Sequence, residues 1–213
     1  MKQQSSLEKV SGNLGVSTGL TFIAALAGGP VAPFLPLLSS SLASTRHAKR
    51  IEDAFQDLDN KLKLVENSLR DLTDNQYKLI CETILALATS VQVEKIELLK
   101  SCILNTIEVT ELDDSDVTVI SRALRDISIK QFRTLVQYRD SEEIVIYELV
   151  QTPKENDRRT WLVTSEEDSV SIFTLSNLGL LAIVASGAGG TIHYKYLDSA
   201  YKLIDLCLGS ACT

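Results

Sequence analysis

Seven apolar residues between Ile51 and Leu72 follow one another at alternating steps of four and three residues. This spacing places them on one face of an α-helix, and charged residues fill most of the positions between them. An apolar face of this length is stable only when it is buried, so the pattern predicts a helix that packs against another helix, as in a coiled coil. This first seam consists of Ile51, Phe55, Leu58, Leu62, Val65, Leu69 and Leu72.

A second seam with the same spacing runs from Tyr77 to Val91, through Ile80, Ile84 and Leu87. Between the two seams lies the polar segment 73–75, whose threonine, aspartate and asparagine favour turns and helix N-caps over helix interiors. Two seams joined by a short polar break predict an antiparallel helical hairpin. A parallel dimer formed through the first seam is the alternative.

The remainder of the chain changes character after Asp140. Before this point, helical spacing of apolar residues predicts three more helices; after it, β-branched residues become common and predict short strands. The fold class is therefore mainly α, a helical bundle with a small C-terminal α+β unit of winged-helix type. The predicted domains are residues 1–45, 46–139 and 140–213. Helices are expected over residues 93–107, 128–138, 175–185 and 194–208, and a further helix is expected to begin at about residue 114. Strands are expected over residues 143–150, 160–164 and 170–174.

The N-terminal segment has no charged residue over the 36 positions 10–45. Gly28, Gly29 and Pro30 divide it into two apolar runs, each shorter than the roughly 20 residues that a single helix needs to cross a bilayer. Together the runs fit a kinked span or a re-entrant hairpin in a membrane, and equally two buried helices of a soluble bundle. The residues expected to meet lipid are Gly15, Gly19, Phe22, Ile23, Leu26, Phe34, Leu37 and Leu38.

A basic cluster, Arg46, Lys49 and Arg50, follows the apolar segment directly. Residues 1–50 contain five basic residues and one acidic residue, so they carry +4 while the remaining 163 residues carry −11 of the net −7. This arrangement predicts contact with the anionic inner face of the cell membrane. The acidic body argues against nucleic acid as a partner. The four cysteines form no C-x-x-C pair, which favours a reducing cytoplasm, and Cys81 and Cys102 lie in apolar helical patterns typical of buried thiols.

No residue pattern for catalysis, cofactor binding or metal binding occurs in the sequence, so we expect no enzyme and no cofactor. The histidines, His47 and His193, have no nucleophile beside them, and Asp198 is the nearest plausible carboxylate for His193. The acidic cluster at residues 113, 114 and 116 is better explained as a helix N-terminus than as a cation site. A modest basic patch consists of Arg122, Arg125, Lys130 and Arg133.

The order of these elements resembles the abortive-infection alpha family of bacteria. The residues that carry the resemblance are the helix EKIELLKSCILNTI (94–107) and the run DVTVISRALRDISIKQFRTL (116–135), which follow an apolar N-terminus and heptad helices. The similarity covers residues 45–185 as an order of elements and supplies no catalytic residues. The small residues and asparagine typical of the family's third helix are represented only by Ser101 and Asn105. The resemblance implies a role in bacterial defence or toxicity through the membrane.

The function expected from these features is that of a membrane-associated bacterial effector, in which residues 10–45 insert into or disrupt the bilayer. Membrane lipid and further copies of the chain are the expected partners, together with an unknown protein partner. The first alternative is a soluble oligomeric scaffold or adaptor that buries the apolar segment in its own interface. A transcriptional regulator acting through the C-terminal unit is a third class.

Overall fold

The computed structural model describes residues 45–64, 71–109, 112–141, 143–147, 160–163, 166–187 and 191–209. These residues form seven helices and four strands. The chain divides into two units, Met1–Glu108 and Val109–Thr213. The predicted fold class is confirmed, because a helical bundle is followed by a small α+β unit.

Among its described residues, the first unit contains three helices: α1 (Thr45–Leu64), α2 (Asp74–Thr89) and α3 (Val93–Glu108). The polar break before α2 caps it as expected: the Thr73 side chain accepts a hydrogen bond from the backbone N–H of Gln76, whose own side chain accepts one from the N–H of Thr73. The Nε2 group of Gln76 also donates to the carbonyl oxygens of Thr106 and Ile107, at 3.0 and 3.3 Å. The start of α2 therefore lies beside the end of α3, and these two helices are antiparallel.

The first seam is buried along the described part of α1, where Ile51, Phe55, Leu58 and Leu62 have almost no exposed surface. Its main packing partner is α3, and α2 also packs against α3. The helical hairpin is thus formed by α2 and α3, with α1 packed onto α3. Helical periodicity identifies the face that must be buried but not the helix that covers it, so the sequence suggested α1 and α2 as neighbours instead. The buried apolar residues of α3 are Ile96, Leu99, Cys102, Ile103 and Ile107.

The second unit begins with α4 (Asp114–Asp126) and α5 (Ile129–Gln137), followed by β1 (Glu143–Tyr147) and β2 (Thr160–Val163). Next come α6 (Glu166–Asn177), β3 (Leu181–Gly187), β4 (Thr191–Tyr196) and α7 (Asp198–Leu208). The four strands form one sheet in the order β2-β1-β4-β3. Strand β1 is parallel to β2 and antiparallel to β4, and β4 is antiparallel to β3.

The helices of this unit are capped by residues that the sequence makes recognisable. Asp113 caps α4, because its Oδ1 accepts the backbone N–H of Asp116 at 2.7 Å and the hydroxyl of Ser115 at 2.8 Å. Ser128 caps α5 through reciprocal hydrogen bonds with Gln131. Both helices begin within one residue of the positions expected for them, about residue 114 and residue 128.

Two predicted elements of the second unit are wrong, and a third is only partly correct. Residues 170–174 lie in helix α6 and not in a strand, because the acidic residues 166–168 favour a helix N-terminus at that point. Residues 175–185, predicted as a helix, end α6, turn at Gly179 (φ 79°) and enter β3. The final helix begins at Asp198 and not near residue 194, since residues 191–196 form β4.

Tyrosines join α5, β4 and α7 around the core of the second unit. The hydroxyl of Tyr196 donates to the carbonyl oxygen of Leu135 at 2.6 Å, and its ring lies 5.3 Å from that of Tyr201, centroid to centroid. Arg139 Nη2 meets Asp205 Oδ1 at 3.0 Å. Burial raises the pKa of Tyr196. Because these contacts tie α5 to elements further along the chain, the boundary expected between residues 139 and 140 falls inside this unit.

Candidate interaction surfaces

The expected membrane-facing surface is described only at its C-terminal border. The apolar residues Gly15, Gly19, Phe22, Ile23, Leu26, Phe34, Leu37 and Leu38 lie outside the described residues, as do Val65 and Leu69 of the first seam. The side chain of Arg46 is also outside the described part, while Leu72 is half-buried just before α2. None of the helices in the described part of the chain combines the length and the apolar character needed to cross a membrane.

The described start of α1 combines two kinds of surface. Lys49 and Arg50 are exposed, whereas the very next residue, Ile51, is buried. The apolar face of α1 thus packs on α3, and the two cations remain accessible at the end of the helix that adjoins the charge-free segment.

An ionic cluster joins α1 to α3. The side chain of Lys100 on α3 is 8% exposed and pairs with Asp57 of α1 and with Glu97 of its own helix. Lys61 also meets Asp57, at 3.1 Å between Nζ and Oδ2. The hydrogen bond from Lys100 lowers the pKa of Asp57, and the two carboxylates together raise the pKa of Lys100 against the opposing effect of burial. The cluster fixes the orientation of α1.

The basic patch of the second unit is largely engaged by neighbouring groups. Arg122 Nη2 donates to the carbonyl oxygen of Asn177 at 3.3 Å, and Arg125 Nε lies 3.3 Å from Asp126 Oδ1. Lys130 pairs with Glu167, which lowers the pKa of that carboxyl. These pairings reduce the positive charge that the patch presents, and phosphate binding depends on that charge.

His193 has a carboxylate partner that sequence analysis did not identify. Its Nδ1 lies 3.1 Å from Glu143 Oε1, because β4 and β1 are adjacent, and the two residues are 50 positions apart in the chain. The expected neighbour, Asp198, lies beyond the strand at the start of α7. Pairing of strands that are distant in sequence is not readable from local spacing, so no local signal identified Glu143.

The acidic cluster before α4 acts as a helix cap. Backbone and side-chain hydrogen bonds from Asp116 and Ser115 lower the pKa of Asp113, and Asp116 pairs with Lys202 of α7. Among the described residues, no group of three or more histidine, cysteine or acidic side chains is placed to hold a metal ion. The described carboxylates of this cluster are therefore accounted for by contacts within the protein.

The largest unexpected feature is an exposed apolar surface on the second unit, formed by α6 and β3. We refer to Val170, Phe173, Ile183 and Val184 as the β3 edge surface. Their exposed fractions are 59%, 56%, 57% and 47%, and α6 packs directly against β3. A sequence signal for it existed in the run LAIVASG (181–187), which contains no charge. It was missed because residues 175–185 were predicted to form a helix and residues 186–190 a break.

Comparison of the chain with protein-family models, with curated proteins and with solved structures found no match.

Proposed function

We propose that this protein is a membrane-associated bacterial effector of the abortive-infection type, which acts on the bilayer through residues 10–45. The observation that carries the proposal is the arrangement at the start of α1. Exposed Lys49 and Arg50 directly follow the charge-free segment, and the rest of α1 is anchored to α3 by a buried apolar face. The helical unit thus presents cations at the point where the apolar segment leaves it.

The physical reason for membrane binding has two parts. Insertion of the apolar runs removes hydrocarbon side chains from water, at about 25 cal/mol per Å² of apolar surface. Basic residues beside the runs add about 1 kcal/mol each near an anionic leaflet. Because the cytoplasmic leaflet carries the anionic lipids, these cations also favour a position at the inner face of the cell membrane.

A defence role is proposed from the resemblance between the order of elements predicted from the sequence and the abortive-infection alpha family. In that interpretation residues 10–45 insert into the bilayer once a trigger releases or assembles the helical body. No enzymatic step and no cofactor is needed for this action, because the work is done by the transfer of apolar surface from water to lipid.

The alternative function is a soluble oligomeric scaffold or adaptor. The β3 edge surface favours this alternative, because several large apolar side chains exposed on two packed elements are typical of protein–protein contact. In such a scaffold, residues 10–45 are buried between copies of the chain and never meet lipid. The two functions differ in whether the protein binds vesicles.

Vesicle binding tests the proposal. The protein is mixed with vesicles of phosphatidylcholine alone or with added phosphatidylglycerol, and the bound fraction is measured by sedimentation. We expect wild type to bind anionic vesicles preferentially. The double variant Lys49→Gln/Arg50→Gln removes two cations at about 1 kcal/mol each, so its partition coefficient falls roughly 30-fold.

The matched control is Arg125→Gln/Lys195→Gln, which removes two exposed cations of the second unit. Its loss of binding is expected to be much smaller, because these residues do not adjoin the apolar segment. An equal loss of vesicle binding in the two double variants would show that binding depends on net charge alone and not on the position of the cations. A wild type that binds neither vesicle contradicts the membrane proposal and favours the scaffold.

A further inference from the structure

Strand β3 lies at one edge of the four-stranded sheet, and the structure describes no strand beyond it. One side of β3 pairs with β4, so the backbone N–H and C=O groups on its other side are not used within the sheet. A seven-residue strand in this position is a template for pairing with a further strand. Edge strands of monomeric proteins are ordinarily protected by charged side chains, by proline or by a covering element.

The sequence of β3, LAIVASG, contains neither charge nor proline. It does contain a β-bulge, at the register shift between Ile183 and Ala185 in its pairing with β4. Three consecutive residues, 183–185, are exposed. Regular alternation would turn successive side chains to opposite faces of the sheet, so the bulge is what leaves this stretch outside the core. The edge is therefore accessible and apolar.

We propose that β3 pairs with the β3 strand of a second copy of this chain and joins the two sheets into one. The argument for a second copy is self-complementarity. An uncharged strand meets an identical uncharged strand without opposing like charges, although the whole chain carries −7. A partner selected by charge would need a charged residue on the strand, and residues 181–187 contain none.

The position of α6 supports the same arrangement. Two identical strands that pair antiparallel are related by a two-fold axis perpendicular to the sheet, which keeps the covered face of each sheet on the same side. Both copies of α6, each packed against its own β3, then lie on one face beside the joined edges. Val170 and Phe173, which are exposed in the single chain, supply apolar surface on that face. The inference does not depend on membrane action.

The test compares Val184→Lys with wild type by sedimentation equilibrium of the full chain. Val184 sits at the bulge and has no paired residue on β4, so this substitution perturbs the β3–β4 ladder least. Val91→Lys is the matched control, since Val91 is equally apolar, 67% exposed and located in the first unit. We expect wild type and Val91→Lys to show twice the chain mass of 23.4 kDa, and Val184→Lys to show the single-chain mass.

Hydrogen exchange provides a readout that needs no variant. In wild type, the backbone amides of 181–187 are expected to exchange at least tenfold more slowly at high protein concentration than at concentrations below the dissociation constant. A wild-type protein that is monomeric at high concentration overturns the proposal. Unchanged mass in Val184→Lys, or amides in β3 whose exchange is independent of concentration, also overturns it, and each of these results points to a different interface.

Discussion

Replacement of Leu58 by alanine is expected to destabilise the first unit strongly, whereas the same replacement at Leu64 is expected to have little effect. The two leucines lie on α1, six residues apart, but Leu58 is 1% exposed and Leu64 is 85% exposed. Removing the Leu58 side chain leaves a cavity between α1 and α3. Leucine-to-alanine replacements in packed cores cost about 2–5 kcal/mol, and exposed replacements usually change stability by less than about 0.5 kcal/mol.

Urea denaturation followed by circular dichroism at 222 nm measures this difference. With a slope of about 1–2 kcal/mol/M for a unit of this size, a loss of 2–3 kcal/mol lowers the midpoint for the first unit by about 1–3 M. The Leu64→Ala midpoint is expected within a few tenths of a molar of wild type. Equal midpoints for the two variants would refute the reasoning, because they would show that α1 is not packed through its first seam.

Three further predictions concern contacts that the structure describes. Asp57→Asn is expected to lower the free energy of unfolding by about 1 kcal/mol at pH 7, since Asp57 is partly exposed and its pairing with Lys100 is screened. Lys100 lowers the pKa of Asp57 from its ordinary value of 3.8, so the stabilisation is fully present above that value and is lost as the pH falls through the lowered pKa. The stabilities of wild type and Asp57→Asn should converge there. Tyr196→Phe is expected to lower the free energy of unfolding by about 1–2 kcal/mol, because the Leu135 carbonyl loses its hydrogen-bond donor. Tyr201→Phe, on the exposed side of the ring pair, should lower it by less, and the urea midpoints of the two variants measure the difference. Cys102 and Cys207 are buried and should be alkylated only when the protein unfolds. Cys81 should react slowly, because burial raises the pKa of its thiol. Mass spectrometry of labelled peptides at pH 7 measures the order of reaction, and labelling of Cys102 before Cys81 would contradict this prediction.

The helical elements were predictable because their signals are local. The seam of α1 follows from spacing alone, and Thr73, Asp113 and Ser128 identify helix starts through hydrogen bonds to residues two or three positions away. What spacing does not specify is the partner of each face. The packing of α1 on α3 brings Lys100 to Asp57, a contact across 43 positions that no local pattern encodes.

The elements of the second unit were harder to predict, since helix and strand signals conflict there. Residues 170–174 are rich in residues that favour strands, yet the acidic start of α6 and its packing against α5 and β3 make them helical. The run 181–187 combines alanines with β-branched residues, and its tertiary pairing with β4 decides for a strand. The β3 edge surface and the His193–Glu143 pair both depend on this sheet, so neither was predictable before the strand order was known.

Membrane association through residues 10–45 is the central claim, and Ile23→Lys tests it most directly. Ile23 lies within the upstream apolar run, far from any natural charge. A lysine at bilayer depth costs about 2.5–3.5 kcal/mol on insertion scales, which is sufficient to return a marginal segment to water. If the segment is instead a core helix of a soluble protein, the same lysine is buried without a partner and destabilises the fold.

Sedimentation with membranes and thermal unfolding are therefore measured together on wild type, Ile23→Lys and the surface control Val91→Lys. The proposed function predicts that wild type and Val91→Lys sediment with membranes, while Ile23→Lys stays in the supernatant with an unchanged unfolding temperature. A wild type found wholly in the supernatant, together with a lower unfolding temperature for Ile23→Lys, would contradict the membrane function and support the soluble scaffold.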